Sequence, residues 1–145
     1  MTRILDIQRK SNQYLNSFNE RAINAIESNG DLMVNMNRRQ MLSSLDADER
    51  PLINKRTGSA RLSAAYAKRT GKSTPNLFLR GDFQFAMFFT MPTIKDYIIT
   101  SDNDLVKYLP VNYGKIFGVS PTNQPKVQEI NNKAIIDDYL NSVFR

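Results

Sequence analysis

The stretch "FQFAMFFTMPTIKDYIIT", residues 83–100, decides the fold class. Phe83, Phe85, Met87 and Phe89 fall at every second position, the period of a strand with one buried face. "MPT" at 91–93 reads as a turn, and "IKDYIIT" at 94–100 as the returning strand of an antiparallel pair. On both sides of this pair the period becomes helical. Toward the N-terminus, Ile4, Ile7, Tyr14, Leu15, Phe18, Ala22 and Ile26 recur at three- and four-residue spacing, with Ser11 in the one polar slot. "SNG" at 28–30 predicts the end of that helix, with Gly30 in a left-handed C′ conformation. Toward the C-terminus, Val127, Ile130, Ala134, Ile135, Tyr139, Leu140 and Val143 form an apolar stripe, and Pro125 sits in the first turn, where a missing N–H costs nothing.

The intervening stretches are shorter. Leu32, Met33, Met36, Met41, Leu42 and Leu45 suit a second short helix, with the methionines filling core gaps. "DADERP" at 46–51 breaks that pattern, because Pro51 disfavours helix at Arg50. Gly81 suits a tight turn into the strand. After the strand pair, Ser101 or Asp102 is the expected N-cap of a short helix carrying Leu105, Tyr108 and Leu109, stopped by Pro110. Gly114 and Gly118 then flank Ile116 and Phe117, and Tyr113 and Phe117 bracket a bend expected to press the strand pair onto the last helix. The fold class is therefore α+β: a small antiparallel sheet packed against N- and C-terminal helices, with a long basic loop or arm. One domain spans 1–145, with the first helix over 1–30, the basic segment over 46–76, and the strand pair plus C-terminal helix over 77–145. Leu77, Phe83, Phe85, Phe117, Ile135 and Leu140 are the expected core.

Charge is concentrated. Ten of the twenty basic residues and three of the fourteen acidic ones lie between Arg38 and Arg80, so that stretch carries +7 and the rest −1. Such a patch favours an acidic partner, nucleic acid or protein. Arg56, Arg61, Lys68, Arg69, Lys72 and Arg80 are the candidate contact residues. "GKST" at 71–74 is not a phosphate-binding loop, since Tyr66 stands where the second glycine belongs and Pro75 follows instead of a helix. Tyr66 is the sole aromatic interleaved among these cations, so stacking of bases is not expected.

Catalytic chemistry has little to work with. The chain has no histidine and no cysteine, which removes the usual general base, nucleophile pairs and thiolate metal sites. Asp102 with Asp104 and Asp137 with Asp138 are isolated pairs, one suited to a helix N-terminus and one to a polar helix face. No enzyme activity, metal or cofactor is expected. The N-terminus lacks a signal peptide's apolar run, and no stretch approaches the roughly 20 apolar residues of a membrane span. A soluble protein without a membrane partner is the expectation.

Two segments carry a resemblance: "STPNLFLRGDFQFAMFF" at 73–89 and "DYIITSDNDLVKYLPVNYGKIFGVSP" at 96–121. Together they resemble the neck and tail-completion proteins of tailed bacteriophages, also called head–tail joining or virion morphogenesis proteins. Leu77, Gly81 and Phe83 match that group's L-x-x-[TR]-G-x-[LF] turn. Tyr113 to Gly118 match its aromatic–glycine element. The resemblance implies a structural virion protein of the head–tail connector, forming a homo-oligomeric ring of six or twelve copies at the portal–tail junction. Portal, adaptor or tail proteins would be its neighbours, and DNA would pass through its channel. It implies a location in the neck or tail of the virion, and in the host cytoplasm during assembly. In such a ring the basic segment, expected to be mobile in the free protein, becomes an arm facing acidic neighbours or DNA. The alternative is a small basic nucleic-acid-binding accessory protein.

Overall fold

The computed structural model describes residues 2–78 and 81–145. The N-terminal stripe folds as two helices, α1 (Thr2–Asn16) and α2 (Phe18–Glu27). The single helix expected over 1–30 is interrupted at Ser17, whose φ is −111°. Its hydroxyl donates back to the Gln13 carbonyl at 3.2 Å, a bond that competes with helical geometry.

Gly30 does not end a helix. It opens α3 (Gly30–Leu42) and has no left-handed φ. A side chain at Gly30 would place its Cβ 2.9 Å from Cδ1 of Phe89. The glycine therefore lets the start of α3 press against the sheet. Met33, Val34, Met36 and Met41 of α3 are buried and form the centre of the hydrophobic cluster, as core-filling methionines should. Each such side chain contributes roughly 1.5–3 kcal/mol by leaving water.

The segment 46–76 is a long basic loop with one helix in it, α4 (Ala64–Thr70), capped by the Ser63 hydroxyl and closed by Gly71 in the left-handed conformation. It is stitched to the domain and does not run free as an arm. The Ala47 N–H donates to the Lys115 carbonyl and the Lys55 N–H to the Asn112 carbonyl, both at 2.8 Å. Leu52 is buried, only 1% exposed. A low apolar content made an unattached arm the expectation; backbone hydrogen bonds supply the attachment that composition does not reveal.

Residues 82–85 correct the predicted strand. They form a single helical turn, α5 (Asp82–Phe85), entered through Gly81 at φ 86°. Phe83 is therefore buried at 2% exposure while Phe85 stands 87% exposed, because residues two apart on a helical turn face nearly opposite ways. The Arg38 guanidinium holds the turn, with Nε donating to the Gln84 carbonyl at 2.6 Å and Nη2 to the Phe85 and Met87 carbonyls at 3.3 and 3.2 Å. Ser101 Oγ donates to the Phe83 carbonyl at 2.9 Å.

The strand pair is β1 (Met87–Thr93) and β2 (Asp96–Ser101), antiparallel, with Phe89 opposite Ile99 and Thr90 opposite Ile98. Met87, Met91 and Ile99 face the core, whereas Phe88 and Ile98 face outward and stay exposed. "MPT" at 91–93 is strand and not turn: the register is irregular between Thr90 and Thr93, which accommodates a residue without an N–H at 92. The turn falls on Ile94 and Lys95.

A 3₁₀ turn (Asp104–Lys107) follows, capped by Asn103, whose Oδ1 accepts from the Leu105 N–H. Neither Ser101 nor Asp102 is the cap. Pro110 lies in the first turn of α6 (Leu109–Tyr113) instead of stopping a helix, a position where its missing N–H is harmless. Residues 116–120 are held by α3. Asn37 Nδ2 donates to the Ile116 carbonyl at 2.9 Å and Asn37 Oδ1 accepts from the Gly118 N–H at 3.2 Å. Gln40 Oε1 accepts from the Ser120 N–H at 2.9 Å. The glycine–aromatic bend thus packs on α3, and the first turn of the final helix also touches it, through Gln124 Nε2 donating to the Val119 carbonyl at 3.3 Å.

That helix, α7 (Gln124–Phe144), lies along α1 and α2. Arg21 donates to both carboxylate oxygens of Asp138 at 3.0 and 2.9 Å, and also to Ser142 Oγ. The same guanidinium sits 4.9 Å from the centre of the Tyr14 ring. Burial, and then the nearby Asp138 carboxylate, push the Tyr14 phenol up from its ordinary pKa. Val127 carries α7 into the central cluster. The architecture is α+β, a two-stranded sheet against a helical layer built from both ends of the chain. Of the expected core, Phe83 is buried, Leu77, Phe117 and Ile135 are half-buried, and Phe85 and Leu140 are exposed.

Candidate interaction surface

The surface of the basic segment begins at a tight loop. Asn54 and Ser59 bridge its base, and the Asn54 carbonyl accepts from the Gly58 N–H at 2.8 Å. Asn54 Oδ1 accepts from the Arg56 N–H at 2.9 Å, the side-chain turn that asparagine favours. Arg56 therefore stands at the tip of a closed loop, exposed and with no ion-pair partner among the described residues. Arg61 and Lys68 are likewise exposed and unpaired among those residues.

The other three candidates differ. Arg69 lies over the Tyr66 ring, 5.1 Å from its centre. Lys72 is half-buried: its Nζ donates to the Phe78 carbonyl at 2.5 Å and sits 5.0 Å from the centre of the Phe78 ring. Both cations are engaged inside the segment by cation–π contact. Arg80 lies outside the described residues. So Arg56, Arg61 and Lys68 are presented to solvent, and Arg69 and Lys72 are spent locally. Arg38, counted in the same charge excess, is consumed by the α5 carbonyls.

Between α4 and α6 runs an apolar cleft of about 210 Å³, bordered by Leu62, Tyr66, Leu77, Leu105, Leu109 and Tyr113. Lys115 ties the inner end of the segment to the glycine bend through a 2.8 Å ion pair with Asp48. The Lys115 ammonium holds the Asp48 carboxyl below the usual carboxylate range, and Asp48 in turn raises Lys115.

No family model, curated protein or solved structure matches the chain. The surface must therefore be read from its own chemistry.

Among the described residues, no three or more acidic side chains gather where they could hold a metal ion. Asp102 and Asp104 flank the Asn103 cap and are exposed. Asp137 pairs with Lys133 and Asp138 with Arg21. No helix in the described residues is long and apolar enough to cross a membrane. The surface does carry many large apolar side chains in the open. Ile136, Leu140 and Phe144 recur every four residues on the outer face of α7, and Phe85, Phe88 and Ile98 stand on or beside the outer face of the sheet. Sequence periodicity missed both groups, because it assigned Phe85 and Leu140 to the core.

Proposed function

We propose that this chain is a structural component of a tailed-phage head–tail connector, working as a homo-oligomeric ring of six or twelve copies beside portal, adaptor or tail proteins. One observation carries the reading: two separate elements, α7 and the sheet, each leave a group of large apolar side chains exposed. Contiguous apolar surface of this kind marks contact with another protein. A single two-fold contact uses one patch per copy, whereas a closed ring uses two different patches on every copy. The segment resemblance at 73–89 and 96–121 supports the same assembly, and the exposed Arg56, Arg61 and Lys68 supply cations for an acidic neighbour or for DNA in the channel.

The test is mass analysis of particles purified from the native source. The chain is expected to co-purify with particles at a stoichiometry of six or twelve. If it is found only in the soluble fraction, and the pure protein binds duplex DNA with steep salt dependence, the chain is a nucleic-acid-binding accessory protein and the connector reading fails.

A further inference from the structure

Beside α5 lies a second, smaller pocket of about 200 Å³, bordered by Leu77, Asp82, Gln84, Asn103 and Leu105. Its lining holds an unmet acceptor. Gln84 is only 5% exposed. Its Nε2 is committed to the Leu77 carbonyl at 2.7 Å, and its Oε1 is buried with no hydrogen-bond partner. Asp82 is exposed and has no ion-pair partner among the described residues. A buried acceptor without a donor is rare in folded proteins and marks a missing partner. A carboxylate at the same pocket favours a cation. The volume suits one side chain and is too small for a nucleotide-sized ligand. A guanidinium meets all three conditions, since its planar fork donates in several directions at once.

We propose that this pocket receives the guanidinium of Arg56 from a second copy of the chain. The loop that carries Arg56 is already ordered: the bridge of Asn54 to Ser59 closes it, and the Lys55 N–H to the Asn112 carbonyl anchors it. Nothing lies within 4 Å of where a side chain on Gly58 would project, so the tip stands clear of its own domain. A preordered tip loses little freedom on insertion. The charge matches as well, with the basic segment at +7 and the rest of the chain at −1. Tip and pocket are different patches of one chain, so the contact runs head to tail and propagates from copy to copy. It rests on the connector reading only for the closure of that chain of copies into a ring.

The experiment has two arms, both on the full chain. In the first, N-acetyl-argininamide is titrated into dilute ¹⁵N-labelled protein. The Gln84 side-chain amide and the residues around Asp82 are expected to shift, with at least fivefold weaker binding in Asp82→Asn. Absence of a shift overturns the pocket. In the second, sedimentation velocity follows self-association of wild type, Arg56→Asp, Asp82→Arg and the double variant. Each single change is expected to weaken association at least tenfold, and the pair to restore it. Full association of both single variants, or a wild type that stays monomeric while argininamide binds, overturns the second copy as occupant. Should particles contain the chain while the exchange has no effect, the contact fails and the connector stands. Should the exchange work while particles lack the chain, the reverse holds.

Discussion

Replacing Gly30 with alanine puts the approach of α3 to the sheet under direct test. In an ordinary helix this change stabilises by up to about 1 kcal/mol. Here the added Cβ would lie 2.9 Å from Phe89 Cδ1 and 3.0 Å from Phe89 Cβ. Both distances fall well inside the roughly 3.5–4.0 Å that carbon atoms prefer. Rotating the ring removes only the first clash, because Cβ is fixed to the strand backbone. The ring is also stacked on Tyr97 at 5.6 Å, so any rotation gives up that contact. Either α3 or β1 must move. Overpacking of this kind costs about 1–3 kcal/mol. After subtracting a helical gain of about 1 kcal/mol, the expected net loss is about 0–2 kcal/mol, a fall in Tm of up to roughly 6 °C for a chain of this size. Urea unfolding followed by far-ultraviolet circular dichroism, against wild type at equal concentration, measures it. A variant more stable than wild type would refute the close packing of helix and strand.

Three further outcomes follow from the same structure. Phe83→Ala should cost about 3–5 kcal/mol, while Phe85→Ala should stay within about 0.5 kcal/mol in thermal melts; equal losses would mean that residues 82–85 are strand after all. Asn37→Ala should cost about 1–3 kcal/mol in urea unfolding, because the Ile116 carbonyl and the Gly118 N–H lose their partner; an unchanged midpoint would show that the bend is held by other contacts. The Asp48 carboxyl is depressed by Lys115, so the ion pair's contribution is fully present above the ordinary value near 3.8 and is lost as pH falls through the lower folded value. A ¹³C carboxyl titration should place the Asp48 midpoint below that of an unpaired aspartate, and Lys115→Met should bring it back up; no movement in that variant would remove Lys115 as the cause.

The parts of the fold that were legible in the sequence are those whose signal is repeated. The stripe of α7 runs through six turns with Pro125 at its start, and α1 and α2 show their period over several residues each. The parts that were not legible depend on a single distant partner. Phe83 and Phe85 alternate like a strand, but four residues are too few to separate a strand from one helical turn. The decision rests with Arg38 and Ser101, which capture the carbonyls of that turn from elsewhere in the chain. Gly30 after "SN" has the local chemistry of a helix end, and the crowding of Phe89 overrides it. Leu140 belongs to the apolar side of α7 by spacing, yet α1 and α2 cover only part of that side.

The same limitation applies to the charge, and there it bears on function. A count of +7 treats every cation of the segment alike. The structure separates them: Arg38 serves backbone carbonyls, Lys72 a carbonyl and a ring, Arg69 a ring, while Arg39, Arg50, Lys55, Arg56, Arg61 and Lys68 are exposed and have no ion-pair partner among the described residues. Each phosphate neutralised on duplex DNA changes the slope of log K against log salt by about −0.9. If all nine described cations of the segment met phosphates, the slope per copy would be about −8. The six that are free of local partners give about −5. Gel-shift measurements on duplex DNA across a salt series test the division: a slope of about −5 or shallower agrees with it, and a slope of about −8 would mean that Arg38, Arg69 and Lys72 leave their partners to reach the backbone.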